Sequence, residues 1–214
     1  MSRLQIVIAT GNEGKLAEFS RGLGRLDVEL LSAREAGITR FPAEIGASYE
    51  ENALLKAGFA ALHAGLPALA DDSGLEVDVL DGAPGIYSAR FGGNVSDGER
   101  IAFLLDKLRE VPRGARGASF VCTVVLATPG GEVKAFTGEC RGEILEGPRG
   151  DAGFGYDPVF FSPELNKTFA EADAAAKDRV SHRGRALQRF LDWALTPVGK
   201  RTMQETVPRH DANL

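Results

Sequence analysis

Apolar positions in this chain come in two rhythms, one of strands and one of helices. Residues 4–9, LQIVIA, are an unbroken apolar run rich in β-branched side chains, and beyond a polar stretch Leu16, Phe19 and Leu23 return at helical spacing. The pattern predicts a strand, a tight glycine loop TGNEGK and a helix. A second helix opens at Ser48, where Glu51 completes the spacing of a capping box. It carries Leu54, Ala57, Ala61 and Leu62 as its apolar stripe and ends at Gly65, ahead of Pro67. PALAD and LEVDVL then read as two strands on either side of DSG, and GAPG turns the chain after them. A second capping box, Ser96 with Glu99, starts a helix lined by Ile101, Leu104, Leu105 and Leu108, with Pro112 past its end. ASFVCTVVLAT and EVKAFTGECRGEI flank Pro129, Gly130 and Gly131 as a hairpin. Residues 147–158, GPRGDAGFGYDP, hold too much glycine and proline for an element interior and read as a loop. Leu187, Phe190, Leu191, Ala194 and Leu195 share one face of a last helix that stops near Pro197. Interleaved strands and helices with a hairpin among them imply an α/β fold with a mixed central sheet.

Length and composition narrow this picture. A chain of 214 residues, 43% hydrophobic and 26% charged, buries a sizeable core, and we expect one catalytic domain of two lobes over residues 1–196, followed by a loose polar tail at 197–214. A net charge of −5 argues against a nucleic-acid polymer as partner, because such binding rests on many lysines and arginines. No apolar run approaches the ~20 residues of a membrane span, and the first run is too short for a signal-peptide core, so a cytoplasmic protein is expected. Cys122 and Cys140 fall on the two hairpin strands and could face each other; in a reducing cytosol they read as small apolar residues rather than a disulfide.

Several polar groups exceed what the elements need. Thr10, Gly11, Asn12, Glu13, Gly14 and Lys15 join a strand to a helix, and the amides of such a loop with a lysine suit a phosphate; the alternative is an ordinary turn with Asn12 as cap and Lys15 in solvent. The spacing is not that of a Walker A loop. Asp71 and Asp72 point to opposite sides if the backbone is extended, and one carboxylate at a strand end suits Mg²⁺ or a proton from attacking water; an Asx-turn is the alternative. Glu51 is explained by its capping box, whereas Glu44 lies in a loop with no periodic role and is the candidate to complete a metal site with Asp72. Lys56, on the same helix as Glu51, is a substrate candidate or a plain surface lysine. In GFGYDP, Phe154 and Tyr156 offer a stacking platform for a base or tuck into the core. Lys177, Ser181, His182 and Arg183 at the entrance to the last helix are donors for anions or base-edge oxygens, or a capped N-terminus followed by a solvated face; cations there oppose the helix dipole. His63 and His210 read as a helix-surface residue and a tail residue.

Five ordered motifs, IVIATGNEGK, ENALLKA, ADDSGLEVDVLDGAPGIYSARF, GFGYDPVFF and SHRGRAL, resemble the inosine/xanthosine triphosphate pyrophosphatase (Ham1-like) family across roughly residues 5 to 195. The resemblance implies an elongated α/β fold with two lobes around a nucleotide cleft, a homodimer, and Mg²⁺-dependent hydrolysis of dITP, ITP and XTP to the monophosphate and pyrophosphate. Carried over by position, Thr10 to Lys15 hold phosphates, and Glu44 and Asp72 hold the metal, with Asp72 also the proton acceptor. Lys56, Ser73, Phe154, Gly155, Tyr156, Asp157, Lys177, His182 and Arg183 match substrate contacts. Around Glu44 the chain reads EIGASYEENA, a departure from the T-G-x-T/S-F flavour of relatives. Two other readings stay open: a nucleotide-binding regulatory module without activity, and a pyrophosphatase for modified pyrimidine triphosphates.

Overall fold

A computed structural model describes residues 3–204. The chain runs β1 (Leu4–Ile8), α1 (Glu13–Gly22), β2 (Val28–Ser32), α2 (Tyr49–Ala64), β3 (Ala68–Val77), α3 (Asp97–Lys107), β4 (Gly117–Ala127) and β5 (Val133–Ile144). It continues through β6 (Phe160–Ser162), β7 (Lys167–Thr168), α4 (Ala174–Val180), α5 (His182–Ala194) and α6 (Pro197–Gln204). The seven strands form one mixed sheet in the order β2-β1-β3-β4-β5-β6-β7. β1 is parallel to β2 and to β3, while β6 is antiparallel to β5 and β7. The described residues divide into two compact units, one of 3–72, 123–136 and 187–204, the other of 73–122 and 137–186. The chain therefore changes unit inside β3, β4 and β5.

The expected α/β class with a mixed sheet is what the fold shows, and several elements differ from their predicted form. DSG does not separate two strands: β3 is continuous through Asp71 to Gly74 and nearly every side chain in it is buried, so no polar alternation survives to mark it. The apolar stripe of α2 is also displaced. Ala53, Ala57, Ala60 and Ala61 face the core, whereas Leu54 and Leu62 are exposed, the latter by 76%. Nine of the twelve residues in that unit's core cluster are alanines, and their small side chains let helix and strands approach closely enough to leave no room for leucine. Leu54, Leu62 and the exposed Phe59 instead share one outer flank of α2, within about 140° at 100° per residue.

β4 and β5 form the expected hairpin, with Gly131 at a φ of 94° in its turn. The bonds from Thr128 N to Glu132 O and from Ile144 N to Arg116 O set a register that pairs Cys122 with Gly138 and not with Cys140. Both cysteines are buried thiols. Pro197 does end α5 at Ala194, leaving Leu195 exposed, but residues 197–204 are not a loose tail. Thr196 Oγ1 accepts from Gly199 N at 3.1 Å and Pro197 takes the first helical position of α6, where its missing N–H costs nothing. Residues 205–214, His210 among them, lie outside the described residues. Among the described residues no helix is long and apolar enough to cross a membrane.

Candidate active site

Two clusters of polar side chains stand out, one in each unit. The first grows from the carboxyl end of β1. Val7 pairs with Ala68 and Ile8 with Leu69, so the loop after β1 begins alongside the stretch of β3 that carries Asp71 and Asp72, and the end of a parallel strand is where open α/β sheets commonly bind ligands. Asn12 caps α1: its Oδ1 accepts from Lys15 N at 2.9 Å, and its own N–H donates to Thr10 Oγ1 at 3.1 Å. The expected cap is present, yet Lys15 is not in solvent. Its ammonium lies 3.0 Å from Oδ2 of Asp71, a side chain with no exposure. Gly11 and Glu13 are exposed and Gly14 is half-buried in the first turn, beside the amides that an α-helix leaves without internal acceptors.

Asp72 is buried on the next position of β3 and takes different partners. Asn52 Nδ2 donates to its Oδ2 at 3.1 Å, and Lys56 Nζ lies 4.0 Å from its Oδ1. Lys56 Nζ also donates to Glu44 Oε1 at 2.7 Å, so this lysine is a buried bridge and not a surface residue. Glu44 is brought there by its loop, which is pinned to the first turn of α2. Gly46 N donates to Asn52 Oδ1 at 2.8 Å and Ala47 N to Glu51 Oε2 at 2.7 Å. Glu51 thus serves the loop that carries Glu44, and its own amide N–H donates to the capping Ser48 Oγ.

Three carboxylates here face two ammonium groups. Burial holds the Asp72 carboxyl above its ordinary value, against the pull of Lys56, Lys15 and the Asn52 amide. Burial also disfavours the Lys56 ammonium, but Asp71, Glu44 and Asp72 outweigh it and the net shift is upward. Glu44 and Asp72 offer hard oxygen donors with one negative charge in excess over the cluster. That suits Mg²⁺, which takes one or two carboxylates from a protein and completes its shell with water and phosphate. Among the described residues no three carboxylate, imidazole or thiol side chains converge closely enough to hold a metal by themselves.

The second cluster surrounds Phe154. Lys177 Nζ donates to Asp157 Oδ2 at 2.5 Å and sits 4.9 Å from the centre of the Phe154 ring. Arg183, only 1% exposed, donates to Ser73 Oγ at 2.8 Å and holds its guanidinium carbon 5.9 Å from the same ring. Phe154 itself is half-buried, as is Gly155. Tyr156 turns away into a core cluster, where its hydroxyl donates to Ser88 O at 3.0 Å and burial raises its pKa. His182 is buried and stacks on Phe120, ring centres 4.6 Å apart and 9° from coplanar. Ser181 accepts from Gly184 N through its hydroxyl, and α4 precedes it, so the donors expected at one helix entrance are shared between two helices.

Two residues of these clusters were not among the sequence candidates as substrate or metal groups. Asn52 is fully buried and joins Gly46 to Asp72; a polar residue four positions before Lys56 on an alanine-lined face was its signal. Asp97 accepts from Gly155 N at 2.7 Å, and nothing in the sequence relates positions 58 residues apart.

The sequence pattern of the Ham1 family matches residues 6–193. A dITP/XTP pyrophosphatase of Thermus thermophilus is 51% identical over 189 residues, 88% of this chain and 91% of that one. A protein of the same name from Geobacter sulfurreducens is 52% identical over 191 residues, 88% of this chain and 95% of that one. The solved structure of a HAM1 protein from Coxiella burnetii aligns with a TM-score of 0.79 at 41% identity, covering 87% of this chain and 95% of that one. With one family pattern running from β1 into α5 and half of its residues shared with such relatives, the chain belongs to the Ham1 family.

Proposed function

We propose that this protein hydrolyses nonstandard purine nucleoside triphosphates, dITP, ITP and XTP, to the nucleoside monophosphate and pyrophosphate. The observation that carries this reading is the assembly of buried Asp71, Asp72 and Lys56 with half-buried Glu44 and Lys15, an acid and base site framed by cations. Curated relatives at about half identity bear the name dITP/XTP pyrophosphatase, which supports the same substrate class.

In this reading the phosphates meet the Thr10 to Lys15 segment, with the amides of Glu13 and Gly14 at the α1 terminus and the ammonium groups of Lys15 and Lys56 opposing the negative charge. Mg²⁺ held by Glu44 and Asp72 would polarise phosphate oxygens. Asp72 accepts a proton from the water whose oxygen bonds to the α-phosphorus, while the bond from that phosphorus to the bridging oxygen breaks and pyrophosphate leaves. Asn52 donates to one oxygen of the Asp72 carboxylate and so fixes its orientation for that transfer. The base stacks on Phe154, with Ser73, Lys177 and Arg183 around it. A 6-oxo group accepts where the 6-amino group of adenine donates, so a guanidinium aimed at that position leaves ATP donor to donor. The finer assignments, Mg²⁺ as the metal, a homodimer and the cytoplasm, belong to the same proposal. Exposed Leu54, Phe59 and Leu62 on α2 support the dimer.

A panel of ITP, XTP, dITP, GTP, ATP and dUTP at matched concentration, scored for pyrophosphate with and without Mg²⁺, tests it. ITP, dITP and XTP are expected to turn over at least tenfold faster than ATP, and Asp72→Asn to abolish turnover with an unchanged circular dichroism spectrum. Inorganic phosphate as the first product would overturn the proposed bond choice.

A further inference from the structure

The loop that carries Phe154 is built from residues that resist ordering. Gly153 and Gly155 flank the ring at φ values of 79° and 61°, and glycine loses more backbone freedom on folding than any other residue. Order must be imposed from outside, and two consecutive amides show how. Phe154 N donates to Asp157 Oδ2 at 3.0 Å, and Gly155 N donates to Asp97 Oδ2 at 2.7 Å. Asp157 belongs to the GFGYDP motif itself. Asp97 stands in the first turn of α3, outside the motifs, with 56% of its side chain exposed. It is backed by Arg100, which lies 3.9 Å from its other oxygen and donates to the carbonyls of Phe91, Gly93 and Val95.

We infer that Asp97 is a positioning residue for the base end of the substrate. It acts through the Gly155 amide to keep the Phe154 ring beside Lys177 and Arg183, and so sets affinity for the nucleoside part. The identity of that ligand rests on the pyrophosphatase reading above. A consequence follows for base selection. With the Phe154 and Gly155 amides both taken by carboxylates, these two amides do not read the 6-oxo group, and side-chain donors such as Arg183 carry the discrimination.

The variants Asp97→Ala and Asp97→Asn separate this role from a merely structural one. Both remove a negative charge from the first turn of α3 and lose the same helix-dipole contribution, but only alanine removes the acceptor oxygen. Deuterium uptake of a peptide covering residues 150–158 is expected to rise in Asp97→Ala and to stay near the wild type in Asp97→Asn. KM for ITP should rise about fivefold in the alanine variant and less than about twofold in the asparagine variant, with kcat unchanged in both, as for lost uniform binding. Inhibition by inorganic tripolyphosphate, which has no base, should not change. Equal behaviour of the two variants in KM, or unchanged uptake in Asp97→Ala, overturns the inference. If the wild type turns over no nucleoside triphosphate while the exchange difference is present, the pyrophosphatase reading fails and the nucleoside role of Asp97 with it. An active wild type with no exchange difference removes the Asp97 inference alone.

Discussion

Adjacent aspartates in an extended strand part company because successive side chains point to opposite faces. Asp71 meets Lys15, and Asp72 meets Asn52 and Lys56, so two like charges one residue apart are each neutralised by a different neighbour. Burial raises a thiol as it raises Asp72. Burial pushes the Cys140 thiol up to about 11, opposed by Arg185. A group raised in the folded state stabilises below its unfolded pKa of 9.0, and that stability is lost as pH rises through its folded value. At about 1.4 kcal/mol per unit the loss between pH 9 and pH 11 amounts to about 2–3 kcal/mol. Urea unfolding across that interval should show the decline, and Cys140→Ala should flatten it by a comparable amount. A decline of the same size in both proteins would show that the thiol is not its source.

At the scale of elements, the site depends on how closely α5 approaches β5. A Cβ built on Gly138 would stand 2.2 Å from His182 O and 2.5 Å from Ala186 N, so only glycine lets the first turn of α5 settle against the strand. That turn carries His182 and Arg183. Gly138→Ala must displace it, and we expect a loss of about 1–3 kcal/mol in chemical denaturation together with a raised KM for ITP. Unchanged stability would mean that the helix start can move without cost. Capping signals announced these elements well: Ser48 and Ser96 both cap as their spacing suggested, and Ser96 with Glu99 forms the full reciprocal box. Periodicity did less well where side chains are small. The alanine face of α2 carries little hydropathy contrast, so its leucines drew the stripe to the wrong side. β2 and the short β6 and β7 take their places from pairing partners in the sheet and have no strong local pattern.

For the whole molecule, the exposed flank of α2 places Leu54, Phe59 and Leu62 where no described core covers them. If a second copy covers that flank, Leu62→Glu should yield a monomer in sedimentation velocity at micromolar concentration, with native circular dichroism retained because the residue is 76% exposed in one chain. A dimer unaffected by the change would move the interface elsewhere. The sequence by itself determined the α/β class, the hairpin, the helix caps and the segments holding the candidate chemistry, because hydropathy period, turn residues and motif spacing are local properties. Tertiary structure decided the partnerships. Lys15 with Asp71, Lys56 with Glu44, Arg183 with Ser73 and Asp97 with Gly155 join positions 12 to 110 residues apart. Side-chain charge does not encode which distant partner will be reached; the packing of the sheet and its helices does, and with it whether a lysine lies in solvent or between two carboxylates.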